Sequence, residues 1–160
     1  MNLRKLNYVE AEELLQSYSD EALVDVLGGS SRKLGDTAFS LLWRRNRTDL
    51  VIGALRDGKL GSRDGKVRAL NFLLKYGRSI PEAFEIYRQY CVDRSHDVVS
   101  TALFGLVFWQ DPRVIPYLES LAFGAHGEMV HEAISALRSR DVKKYSPYFH
   151  DAVGVWRTPA

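Results

Sequence analysis

Four segments of the chain share the pattern Ala, large apolar, any, any, Leu. They are "AFSLL" at 38–42, "ALNFL" at 69–73, "ALFGL" at 102–106 and "AISAL" at 133–137. Their alanines, Ala38, Ala69, Ala102 and Ala133, are separated by 31, 33 and 31 residues. One short match is cheap, but four in near-constant phase constrain the fold. Alanine, the next residue and leucine fall at i, i+1 and i+4, on one face of a helix, where the small residue lets a neighbouring helix approach and the leucine fills the adjacent groove.

Another helix-forming run precedes each of these segments: "DEALVDVLG" from 20, "RTDLVIGALRDG" from 47, "SIPEAFEIYRQYCV" from 79 and "DPRVIPYLESLAF" from 111. Start signals support the division. Ser79-Ile80-Pro81-Glu82 has the form of a capping box, while Asp111-Pro112 and Ser146-Pro147 read as an N-cap followed by proline at the first helical position. No long run alternates with a period of two, so helices are predicted throughout. Helix pairs at this period predict a solenoid. Its repeats span about 20–46, 47–77, 79–110 and 111–145, within one domain covering 1–160 with caps at about 1–19 and 146–160.

"DPRVIPYLESLAFGAHGEMVHEAISALRSRD", residues 111–141, resembles a HEAT-type repeat of the armadillo-like class: an Asp-Pro opening, Pro116 in the first helix, and a second helix ending Ala-Ile-x-x-Leu. "SHDVVSTALFGL" resembles the start of a second helix of the same family. Residues 31–46 and 62–77 match less well, and the period is shorter than usual. The resemblance implies an all-α fold, an α-α superhelix of about four helix pairs, with the second helices lining a concave face.

On that face the wheel of the third repeat separates Val99, Ala102, Leu103 and Leu106 from Phe104 and Phe108, which fall within about 40° of each other on the opposite side. The same phase selects Ser40, Asn71, Phe104 and Ser135 at one position, Arg44, Lys75, Phe108 and Ser139 at a second, and Thr37, Arg68, Thr101 and Glu132 at a third. Phe104, Phe108, Arg44, Arg68, Asn71, Lys75 and Glu132 are the candidate partner-binding residues. Paired aromatics beside arginines are the composition of an interface hot spot. The bland alternative is cover by the C-terminal "YFHDAVGVW", residues 148–156.

Charge is unevenly spread. Residues 1–30 carry two basic and six acidic groups, residues 31–78 twelve and four, a local net of +8, and residues 79–160 eight and ten. Arginine outnumbers lysine 15 to 7, which suits planar contacts with carboxylate or phosphate. One cysteine, Cys91, and four histidines give no zinc spacing, and glutamates interrupt the apolar run that a signal peptide would need at the start. The apolar run Ala102 to Trp109 is far below the roughly 20 residues that span a bilayer. A cytoplasmic location is the expectation.

Catalytic motifs fail on inspection. In "GKLGSRDGK", residues 58–66, only three residues separate Gly61 from Gly65 and Val67 follows Lys66, so the stretch is predicted to be an exposed loop and not a P-loop. "HGEMVHE", with His126, Glu128, His131 and Glu132, lacks the i, i+4 histidine pair of a zincin helix. Cys91 has no histidine beside it in sequence, His96 being the nearest. No cofactor or metal is expected. HEAT-like DNA glycosylases hold DNA in a positive groove lined by tryptophan and an acidic residue, and Trp109, Asp111, Arg44, Arg68 and Lys75 offer a loose analogue.

The expected function is therefore a non-enzymatic protein-binding module, of the kind of a bacterial immunity or adaptor protein that blocks a partner, such as a toxin domain, through its concave face. The alternative is a nucleic-acid-binding HEAT-like protein related to DNA glycosylases.

Overall fold

A computed structural model of the chain describes residues 6–76, 80–109, 111–123, 130–146, 149–150 and 155–156. The fold is all-α, with ten helices among the described residues. The chain divides into two compact units, Met1–Gly77 and Arg78–Ala160.

The first unit holds α1 (Tyr8–Leu15), α2 (Asp20–Leu27), α3 (Arg32–Arg44), α4 (Thr48–Arg56) and α5 (Arg63–Tyr76). Polar caps start the first three. Asn7 and Glu10 form a reciprocal capping box on α1, with bonds of 2.9 and 2.7 Å. Ser19 and Ser31 accept from Ala22 N and Leu34 N to open α2 and α3. Asp20 and Glu21 complement the positive end of α2.

Left-handed residues stop α3 and α4. Asn46, at φ 56°, lets Arg47 N reach back to Leu42 O at 2.8 Å, and Gly58, at φ 65°, lets Lys59 N reach Ala54 O at 2.9 Å. Both are six-to-one closures that satisfy helix-end carbonyls. Helix α2 packs on α3 and α4 on α5, while α1 and α5 both lie against α3.

The second unit holds α6 (Ala83–Tyr90), α7 (His96–Val107), α8 (Val114–Phe123), α9 (Val130–Arg140) and the short α10 (Val142–Tyr145). Two-residue strands β1 (Phe149–His150) and β2 (Val155–Trp156) pair antiparallel, with Phe149 opposite Trp156. Helix α6 packs on α7, α8 on α9, and α7 on α9, with β2 and α10 also against α9. Tyr145 donates to Glu119 on α8 at 2.6 Å and Lys144 pairs with the same carboxylate at 2.9 Å, which ties α10 to α8.

All four repeated segments fall on second helices of these pairs. Ala38, Ala69, Ala102 and Ala133 have no exposed surface, nor do Leu42, Leu73, Leu106 and Leu137. Each buried leucine is worth about 1.5–3 kcal/mol relative to exposure, so this register contributes much of each unit's core.

Three boundaries differ from expectation. Helix α5 begins at Arg63, inside the predicted loop, because Ser62 Oγ accepts from Gly65 N at 2.9 Å and starts the first turn. Gly65 is buried there: a Cβ would stand 2.7 Å from the backbone of Gly28, so the absence of a side chain at Gly65 lets α5 meet the end of α2. Helix α6 starts at Ala83, with Glu82 at the cap position and no side-chain cap bond; Ser79 lies outside the described residues. Asp111 turns its carboxylate onto Arg113 N at 2.8 Å, so residues 112–113 form a turn and α8 waits until Val114. Pro147 also lies outside the described residues, and Ser146 closes α10.

Candidate functional site

In the second unit the buried stripe of α7 consists of Val98, Val99, Ala102, Leu103 and Leu106. The helix has further apolar side chains on its other side. Phe104 and Phe108 are 54% and 55% exposed, with ring centroids 4.6 Å apart and planes tilted by 59°. They form one wall of a groove of about 510 Å³ between α7 and α9. Leu103 and Val107 share their side, and Ser135, Ala136 and Ser139 of α9 form the other. His96 and Ser100 extend the lining toward the start of α7.

Small residues on α9 leave this space. A larger side chain at Ala136 or Ser139 would fill it, and Ser139 Oγ folds back to donate to Ala136 O at 2.6 Å. The apolar content with a few hydroxyls suits binding more than bond-making. Ser135 and Ser139 fall on two of the columns selected by helical phase, whereas Ala136 was not singled out. Ala136 stands three residues after Ala133, on the neighbouring edge of the helix, which is the signal that could have found it.

The predicted residues of the first unit have other surroundings. Arg44 pairs with Glu12 at 2.8 Å on the surface. Asn71 and Lys75 are exposed on α5. Arg68 is only 12% exposed along its side chain and is held in place inside the unit. Its Nε donates to Asp36 Oδ1 at 2.7 Å, its Nη1 to Leu27 O at 2.8 Å and its Nη2 to Arg32 O at 3.5 Å. The guanidinium lies over Gly35, where a Cβ would stand 2.3 Å from it. Arg68 thus closes the carbonyl end of α2 from within the unit. Glu132 belongs to α9, but its side chain lies outside the described residues.

Two more arginines work in the same way. Arg45 donates to Gln16 O and Tyr18 O at 2.8 Å each, at the end of α1, and Arg140 donates to Leu106 O at 3.4 Å and to Trp109 O, at the end of α7. Much of the remaining excess of cations in residues 31–78 meets carboxylates: Arg45 and Arg47 on Asp20 at 2.9 and 2.6 Å, Arg47 also on Asp49, Arg56 and Lys59 on Asp57, and Arg63 on Asp64. The acidic start of the chain supplies Glu12 and Asp20 to this set. The charge asymmetry read along the sequence is largely answered within the first unit.

Catalytic chemistry finds little support. The Cys91 thiol is fully buried, and burial pushes it up to about 12, with the Tyr117 hydroxyl beside it pulling the other way, so it is no nucleophile at neutral pH. Asp111 is bound to Arg113 at 2.7 Å, which holds its carboxyl below the ordinary range, and Trp109 stacks edge-on with buried Tyr87 at 5.8 Å. No cluster of three metal-ligating side chains exists among the described residues. His126 and Glu128 lie outside the described residues, as does the His131 side chain. No helix among the described residues is long and apolar enough to cross a membrane. No protein-family model, curated protein or solved structure matches this chain.

Proposed function

We propose that this chain is a non-enzymatic protein-binding module: a short HEAT-like solenoid of about four helix pairs that acts in the cytoplasm as an adaptor or immunity protein, covering a partner such as a toxin domain with the face formed by its second helices. The observation that carries this reading is the Phe104–Phe108 pair, two large aromatic side chains more than half exposed beside an apolar groove on a second helix. Desolvating such a pair against a complementary surface is a strong source of binding energy, since anchors of this type dominate interfaces. Helix-on-helix packing inside each unit and the buried Ala-x-x-x-Leu register support the solenoid part of the reading.

Replacing both side chains, Phe104→Ala with Phe108→Ala, removes surface groups, so the helical circular dichroism and the urea midpoint should stay within about 1 kcal/mol of the parent. A protein captured by the parent from a native lysate should be lost by the double variant, with at least about thirtyfold weaker binding when the pair is purified. Unfolding of the double variant would show the two rings to be core residues. An unchanged set of captured proteins would remove the docking role.

The nucleic-acid reading draws on free cations, and Arg44, Arg45, Arg47, Arg56, Arg63 and Arg68 all meet acidic groups.

A further inference from the structure

We infer that the α7/α9 groove takes an amphipathic helix whose apolar stripe is flanked by carboxylates. The inference rests on the docking reading above and gives its partner a chemistry. The groove follows α7 from His96 to Phe108, a length of about 18 Å at 1.5 Å per residue, or three turns and more. An open trough of that length suits side chains at i, i+4 and i+7 of a polypeptide helix better than a compact small molecule.

Charge decides the flanks. The groove's own lining contains no aspartate, glutamate, lysine or arginine. At the end marked by Phe108, however, Arg140 reaches Trp109 O, the next residue's carbonyl. Among the described residues Arg140 meets only carbonyl oxygens and no carboxylate. Lys143 follows on α10, exposed and without an acidic partner among the described residues. Lys144, by contrast, is paired with Glu119. Arg140 therefore stands beside the Phe108 end of the apolar trough, and neither it nor Lys143, three residues further on, meets a carboxylate among the described residues. A docked helix with glutamates beside its leucines satisfies both features, and a cationic helix meets repulsion.

The test uses two fluorescein-labelled synthetic helices of about 18 residues with the same leucine stripe, one flanked by glutamates and one by lysines, titrated with the full chain by anisotropy. The glutamate peptide should bind at least about tenfold tighter at low salt, with the difference shrinking as salt rises. Phe104→Ala with Phe108→Ala should weaken it by about tenfold or more, and Lys143→Glu should reduce the preference by about threefold with an unchanged circular dichroism spectrum. Equal binding of both peptides, lost in the phenylalanine variant, overturns the charge assignment while the docking reading stands. Binding of neither peptide overturns this inference, and the capture experiment then judges the docking reading separately. Self-association in sedimentation velocity that the phenylalanine variant abolishes makes a second copy the occupant and also overturns it.

Discussion

Arg68 shows how far a residue's type is from its task. Its place on the exposed column of a second helix suggested an interface cation, yet its guanidinium fills the space above Gly35 and joins Asp36 to the carbonyl end of α2. Three separate donors are used at once, which an ammonium cannot reproduce in that planar geometry. Arg68→Lys is therefore expected to lower stability by about 1–2 kcal/mol and Arg68→Ala by about 2–3 kcal/mol, the latter leaving the Leu27 carbonyl unmet and the half-buried Asp36 carboxylate with only the longer, 3.8 Å contact to Arg32. Urea unfolding of the two variants checks this, and parent-like midpoints would return Arg68 to the pool of interface residues. The signal was hidden because Asp36 and Leu27 lie 32 and 41 residues away in sequence. Phe104 and Phe108 were easier to place, since helical phase alone separates them from Ala102 and Leu106.

At the scale of elements, the Ala-x-x-x-Leu register was legible because alanine and leucine act locally, on one face of their own helix. A fifth instance was not: Ala11 and Leu15 of α1, both buried, carry the same spacing but stand only 27 residues before Ala38. Their kinship appears in the arginine bonds. Arg45 stands seven residues after Ala38 and bonds the carbonyl of Tyr18, seven after Ala11; Arg140 stands seven after Ala133 and bonds the carbonyl of Trp109, seven after Ala102. Helix α1 thus relates to α3 as α7 relates to α9, although the sequence suggested only a cap.

Helix contacts also set what the glycines must be. A Cβ at Gly105 would lie 2.2 Å from Cε1 of the fully buried Tyr87 ring, whereas nothing approaches within 4 Å of a Cβ at Gly61. Gly105→Ala should cost about 1–3 kcal/mol by separating α6 from α7, despite alanine's higher helix propensity. Gly61→Ala should leave the midpoint nearly unchanged. Reversed ranks in thermal melts would mean that Tyr87 can move aside. Boundaries were the least legible part, because Ser62 and Asp111 use their side chains in turns that sequence pattern does not distinguish from caps.

For the whole molecule the charges matter as pairs, and pairing gives a sign to the pH dependence. In the first unit hydrogen bonds from Arg45 and Arg47 hold Asp20 below its ordinary 3.8, Arg47 does the same for Asp49, and Lys59 with Arg56 for Asp57. In the second unit Arg113 lowers Asp111, and the Tyr145 hydroxyl with Lys144 lowers Glu119 from 4.5. A carboxyl with a depressed folded value takes up protons in the unfolded chain first, so its contribution is present above the unfolded value and is lost as pH falls through the folded one. The urea midpoint should hold steady from pH 7 to about pH 5 and fall below about pH 4.5, with 0.5 M salt blunting the fall because the pairs are exposed. The same pairing predicts weak and non-specific affinity for nucleic acid. A labelled 20-mer of single- or double-stranded DNA should show no saturable binding at about 0.1 M salt, since cations already matched to Asp20, Asp36, Asp49, Asp57 and Glu12 release few counterions on contact with phosphates. Tight binding with a steep salt slope would mean that those pairs open to a polyanion, and would exchange the protein-docking reading for the nucleic-acid one.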